Sequence, residues 1–196
     1  MILMPSAKSI IAVSGFAGAG KNTVGEAVYR KLGWALIAPT FKLLAEKEGI
    51  TLMQFQEKAK SDPLIDFKFD ASLSRLANDG RCVVSTWVGP WIGKISGKAW
   101  SGVMIPKMDA NVFSVWLEAP EALRAKRLAG REKIGEKEAL EHIRKRDADN
   151  IARYKKAYGI DITNHSEFSM VVQVGEKTPE AIADEIIAGA KKQSII

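Results

Sequence analysis

Apolar residues gather in five short runs along the chain, with longer stretches of mixed polarity between them. Ser9–Ser14 (SIIAVS), Trp34–Ala38, Cys82–Val88, Asn111–Ala119 (NVFSVWLEA) and Phe168–Val174 (FSMVVQV) read as buried strands, rich in β-branched residues. The stretches between them carry helix punctuation. Lys21–Leu32 stops at Gly33, and Phe41-Lys-Leu-Leu-Ala-Glu-Lys-Glu stops at Gly49. Thr51 caps Leu52–Lys60, and Ser61-Asp62-Pro63 opens a helical stretch running to Gly80. Glu121–Lys133 is broken from a long helix, Glu136–Tyr158, by Gly135. Thr178-Pro179 begins the last helix. Gly89–Ala110 shows no period and reads as irregular, and the tail Lys191–Ile196 reads as frayed.

Five alternations of strand and helix imply an α/β fold: a parallel five-stranded sheet with helices on both faces, three layers in all. The whole chain, 1–196, reads as one domain, long enough to bury about 70% of its unfolded surface. With 46% hydrophobic and 27% charged residues it has the balance of a globular protein. No apolar run approaches the ~20 residues of a membrane span. The start, Met1-Ile-Leu-Met-Pro-Ser-Ala-Lys8, lacks the pattern of a signal peptide. A cytoplasmic protein is expected. Cys82 is the lone cysteine and sits in a buried strand, so it reads as core. His142 and His165 have no partners at metal-ligand spacing. The net charge of +6 suits a polyanionic ligand, and nucleotide phosphates suffice; no RNA- or DNA-binding pattern accompanies it.

The strongest chemical signal is Gly15-Phe-Ala-Gly18-Ala19-Gly20-Lys21-Asn22-Thr23. It matches G-x-x-x-x-G-K, with a strand before it and a helix after it, the setting of a phosphate-binding P-loop. Glycines let successive N–H groups turn into one anion-binding concavity. The helix start adds free N–H groups and the positive end of its dipole. Lys21 reaches the outer phosphates, and Thr23 can donate to an inner one. Asn22 stands where a Ser or Thr usually meets Mg²⁺; its amide oxygen is the candidate ligand, directly or through water. ATP and Mg²⁺ are the expected cofactors.

Beyond the loop, Phe41-Lys-Leu-Leu-Ala, the Asp66…Asp70 pair, Val115-Trp-Leu-Glu-Ala-Pro120, Arg124-Ala-Lys-Arg127, Arg131-Glu-Lys-Ile-Gly and Arg153-Tyr-Lys-Lys-Ala-Tyr-Gly-Ile-Asp161 resemble the small cytidylate kinases common in archaea, from Ile10 to about Lys192. The resemblance implies a P-loop NTPase core (9–38, 81–119, 168–193), an acceptor-binding helical region (39–80) and an arginine-rich lid (about 124–137). It also implies transfer of the ATP γ-phosphoryl group to CMP or dCMP. Arg127 and Arg131 would form the lid, and Arg146 and Arg153 would face the phosphates. Arginines are needed because donor and acceptor bring several negative charges together. Arg124, Arg127 and Arg131 share a helical face. For Arg124 and Arg144, surface solvation and function both stand. Asp66 and Asp70 share a face as well, either near the acceptor or in water beside Lys68. A nucleotide is the expected partner, on a monomer or weak homodimer.

The acceptor side departs from the family pattern. Its Gly-Asp pair is replaced by Pro39-Thr40, and the arginine that follows is Lys42, which keeps charge without bidentate geometry. Ser85 stands where a carboxylate would help order Mg²⁺, and Trp87 replaces the arginine that clamps the acceptor phosphate. Trp87, Trp91 and Trp100 lie among Lys94, Lys98 and Lys107, with packing the leading reading over a remodelled pocket or an RNA surface. Three functions stay open: a CMP kinase, a kinase of the same fold with another acceptor, and a nucleotide-binding protein with little kinase activity.

Overall fold

The computed structural model describes residues 8–166 and 168–196. The first seven residues, part of the stretch read for a signal peptide, lie outside them. Strands β1 (Ser9–Gly15), β2 (Ala35–Ile37), β3 (Cys82–Ser85), β6 (Asn111–Glu118) and β7 (Met170–Gln173) form one parallel sheet in the order β2-β3-β1-β6-β7. Strand β1 lies at the centre, with Ile10 opposite both Cys82 and Val112. Ile10 and Ala12 point into one core, with Val84, Phe67 and Trp116; Ile11 and Val13 point into the other, with Val28, Phe113 and Ile186. A strand buried on both faces needs apolar residues at every position, which is why these runs show no alternation.

Helices α1 (Lys21–Leu32) and α8 (Pro179–Lys192) cover one face; α4 (Pro63–Ala77) and the end of α7 (Glu136–Tyr158) cover the other. Between β2 and α4 lie α2 (Phe41–Glu48) and α3 (Leu52–Ser61), and α6 (Glu121–Glu132) precedes α7. The caps form as read. Thr51 makes a reciprocal capping box with Gln54, Thr178 accepts from Ala181 N, and Asp62 accepts from Leu64 N.

Three expectations change. The edge strand β2 is only three residues long, and β3 ends at Ser85, so Trp34 and Thr86–Val88 lie outside the sheet. Gly89–Ala110 is partly ordered: a 3-10 turn (Gly89–Trp91) runs into the one-turn helix α5 (Ile92–Ile95), followed by a hairpin of β4 (Ala99–Trp100) and β5 (Val103–Met104). Its Ser101-Gly102 turn has positive φ at both residues, as two-residue hairpins require. The elements are too short to show a period. Trp91 is buried against Trp116 and Phe168, whereas Trp100 is half exposed and stacks on Phe67. The tail is tied down: the Ile195 carbonyl accepts from Ser9 Oγ at 2.8 Å, and Ile195 and Ile196 pack against the core. No helix among the described residues is long and apolar enough to cross a membrane.

Candidate active site

The phosphate loop joins β1 to α1 at the carboxyl edge of the sheet, where open α/β sheets bind ligands. Two glycines are there for space. A Cβ on Gly15 would come within 2.9 Å of the Leu117 carbonyl oxygen. A Cβ on Gly18, where φ is +80°, would come within 2.7 Å of the Arg124 carbonyl oxygen. Helix α1 starts without a side-chain cap and without an acid in its first turn, so its first N–H groups have no internal anion competing for them.

The loop floors a cavity of about 550 Å³. Lys21, Asn22 and Thr23 line one end. Arg127 and Arg131 from α6, with Arg146 and Arg153 from α7, close over it, and Lys42 and Trp87 lie on its walls. Opposing these cations, Glu132 is the one carboxylate on the lining among the described residues, and it pairs with Arg131 at 3.0 Å. A cavity so charged is built for a polyanion.

Lys21 Nζ sits 4.8 Å from the centroid of the Trp87 ring and 3.5 Å from the Gly15 carbonyl oxygen. Burial lowers its pKa to about 7, helped by Arg146, Arg131 and Arg124 and opposed by Asp147. Burial and Arg131 also lower the pKa of Arg146, whose Nε has no hydrogen-bond partner. Both groups gain from an incoming anion.

The far half of the cavity is lined by Phe41, Leu52, Gln56, Phe69, Asn150 and Tyr154. Arg153 lies over Phe41, Cζ to ring centroid 4.6 Å, and bonds to Asn150 Oδ1 at 2.7 Å. Gln56 is 5% exposed, and its Oε1 has no partner. A buried carbonyl oxygen left unpaired costs free energy that a hydrogen-bond donor would recover.

The family follows from comparison with known proteins. Residues 95–176 match the model of the cytidylate kinase-like family. A cytidylate kinase of Ignicoccus hospitalis is 33% identical over 180 residues, 91% of this chain and 96% of the relative. The chain belongs to the archaeal-type cytidylate kinase family. It is thereby a phosphotransferase of the nucleoside monophosphate kinase class. A second cytidylate kinase, from Pyrococcus horikoshii, is 32% identical, covering 91% of this chain and 86% of its own. In fold, the chain is similar to shikimate kinase from Acinetobacter baumannii, with TM-score 0.56, 14% identity and 96% of each chain covered.

Within this family frame the structure brings Lys21, Asn22, Thr23, Lys42, Trp87, Arg127, Arg131, Arg146 and Arg153 to one cavity. It does not bring Asp66 or Asp70 there. Both are fully buried on α4, behind the wall. Asp66 Oδ2 pairs with Arg153 Nε at 3.0 Å, and Asp70 Oδ2 accepts from the Tyr158 hydroxyl at 2.7 Å. Burial raises the pKa of Asp66 to about 6 against the pull of Arg153, and that of Asp70 to about 8. Neither stands in water or on the cavity lining; Asp66 holds Arg153, which does line the cavity.

Arg124 also departs from solvation. It is buried and ion-paired with Asp147 at 2.7 Å, while Arg127 and Arg131 one and two turns on are exposed. Arg144, by contrast, is exposed, bonded to Glu121 through Nε at 2.9 Å and Nη2 at 2.7 Å. Trp87 packs against two apolar clusters and also lines the cavity beside Lys21. Gln56, Asn150 and Asp147 carry no motif, and only their placement singles them out.

Asn22 Oδ1 accepts from Ser85 Oγ at 3.1 Å. Both are neutral, and no group of three or more His, Cys, Asp or Glu side chains suited to a metal occurs among the described residues. Mg²⁺ is normally held by one or two carboxylates besides phosphates. Asn22 and Ser85 therefore do not fit a protein-anchored Mg²⁺.

Proposed function

We propose that this kinase transfers the γ-phosphoryl group of ATP to CMP or dCMP, giving ADP and the nucleoside diphosphate. One observation carries the reading: cations from the phosphate loop, α6 and α7 converge on a single cavity whose far half is aromatic and polar. Lys21 and the start of α1 would neutralise the donor phosphates. An oxygen of the acceptor phosphate attacks the γ-phosphorus, and the bond to the bridging oxygen breaks. Arg127, Arg131 and Arg146 would hold the transferring group, as transfer demands little beyond positioning and charge. Arg153 would meet the acceptor phosphate. The choice of cytosine rests on the relatives, both cytidylate kinases.

A second reading, another acceptor on the same fold, is favoured by the Trp87 ring beside Lys21, where the family pattern has an arginine. A coupled assay of ADP release over a panel of nucleoside monophosphates separates the two. Turnover with CMP or dCMP well above the other nucleotides is expected. Turnover with none of them, while ATP still binds, would leave this chain a nucleotide-binding protein.

Because Asn22 and Ser85 offer Mg²⁺ no carboxylate, the ion would arrive on the nucleotide. Calorimetric titration with ATP in EDTA should give an affinity within about threefold of that in excess Mg²⁺. A drop beyond about thirtyfold in EDTA would show that the protein itself grips the ion.

A further inference from the structure

Asp147 lies outside the cavity, beneath the phosphate loop, and is 8% exposed. Its Oδ1 accepts from Ala17 N at 2.9 Å, and its Oδ2 accepts from Arg124 Nη1 at 2.7 Å. Arg124 Nη1 also donates to the Ala17 carbonyl oxygen at 3.0 Å, and its Nε donates to the Ala119 carbonyl oxygen at 3.2 Å. Ala17, buried, is thus held at both its N–H and its carbonyl. The backbone of Arg124 presses on Gly18, so close that a Cβ there has no room. Helices α6 and α7 grip the loop through one buried charge pair.

The same carboxylate acts on Lys21. The charged groups around that ammonium are Arg124 and Arg131 from α6 and Arg146 and Asp147 from α7; the Trp87 ring faces it from the segment after β3. Asp147 is the negative one among them. We propose that Asp147 is a positioning residue for phosphate capture: it sets the loop backbone at Ala17, anchors the arginine that wraps it, and supplies negative charge that balances the cations around Lys21. The inference rests on the cavity's holding nucleotide phosphates.

A carboxylate that were only structural would affect binding equally at every pH. A carboxylate balancing Lys21 does not act that way. Without it, Lys21 loses its proton at lower pH, and an anion must restore that proton on binding. If Asp147→Asn lowers the Lys21 pKa by about one unit, the ratio of ATP dissociation constants, variant to wild type, grows about fivefold between pH 6 and pH 8.5.

Calorimetry with ATP in EDTA, run in buffers of different ionisation enthalpy, reads both affinity and proton uptake. Wild type should take up close to one proton at pH 8.5, where nucleotide phosphate is fully ionised. At pH 7 uptake should rise from about half a proton in wild type to about 0.9 in Asp147→Asn. Arg124→Met removes an opposing cation and should shift uptake the other way, and Asp147→Glu should keep the wild-type pH dependence. A pH-independent loss in Asp147→Asn overturns the proposal, as does wild-type binding at pH 8.5 without proton uptake, a measurement that needs no variant to fold. No ATP binding by wild type at any pH overturns instead the assignment of the cavity.

Discussion

Lys21→Met should lose phosphoryl transfer by at least about 10³-fold in kcat, measured by ADP release. Lys21 is the one cation of the phosphate loop and enters the cavity from its floor, where the donor's outer phosphates would lie. Methionine keeps the length and the apolar stem, so the local packing around Trp87 survives while the charge goes. ATP affinity should fall too. Its pH dependence above pH 7 should vanish, because the group whose pKa is lowered to about 7 is then gone. Retained turnover, with the fold intact, would remove the phosphate loop from the mechanism. Turnover lost with the pH dependence of ATP binding unchanged would place the titration on another group.

Arg153→Met should lose turnover by raising KM for the acceptor, and it should also destabilise the fold by about 3 kcal/mol at pH 8. Arg153 is the partner of Asp66, a fully buried carboxylate whose pKa already stands at about 6 because burial outweighs the pairing. Removing the arginine drives that pKa higher still. With the folded-state pKa above the unfolded value, the native state binds more protons than the unfolded one, so stability falls as pH rises through that range. Melting temperatures of variant and wild type should therefore lie close at pH 5 and separate above pH 6. Adding Asp66→Asn should recover most of the stability and none of the acceptor binding. A constant gap from pH 5 to pH 8 would mean that Arg153 acts on stability through packing on Phe41, not through Asp66.

The two variants differ in how far the sequence foretold them. Lys21 stands in a local motif whose flanks, a strand and a helix, are contiguous in the chain, and the turn that places it at the sheet edge can be read from neighbours within a dozen residues. Arg153 was legible as a family position, but its dependence on Asp66 was not. The two are 87 residues apart, and a carboxylate four residues from another on a helix looks the same whether it faces water or a core. The same limit hid Asp147. In a helix as charged as Glu136–Tyr158, the one acid that turns inward has no compositional mark. Arg124 shares a face with Arg127 and Arg131 by spacing alone, yet α6 rests on the loop so that Arg124 is buried while Arg127 and Arg131 are exposed.

What the sequence alone determined is the frame: five apolar runs that read as strands, alternating with helices, and one glycine-rich turn with the pattern of a phosphate loop. These follow from local conformational limits and from the period of the hydrophobic pattern, both properties of short segments. What the tertiary structure decided is which charges meet. It set Asp66 behind Arg153, Asp147 beneath Ala17, Trp87 beside Lys21 and Ser85 on Asn22. The strength and sign of a charge's effect depend on its burial and on partners far along the chain. For that reason the phosphate-loop motif could be read from the sequence, and the charges that meet around it could not.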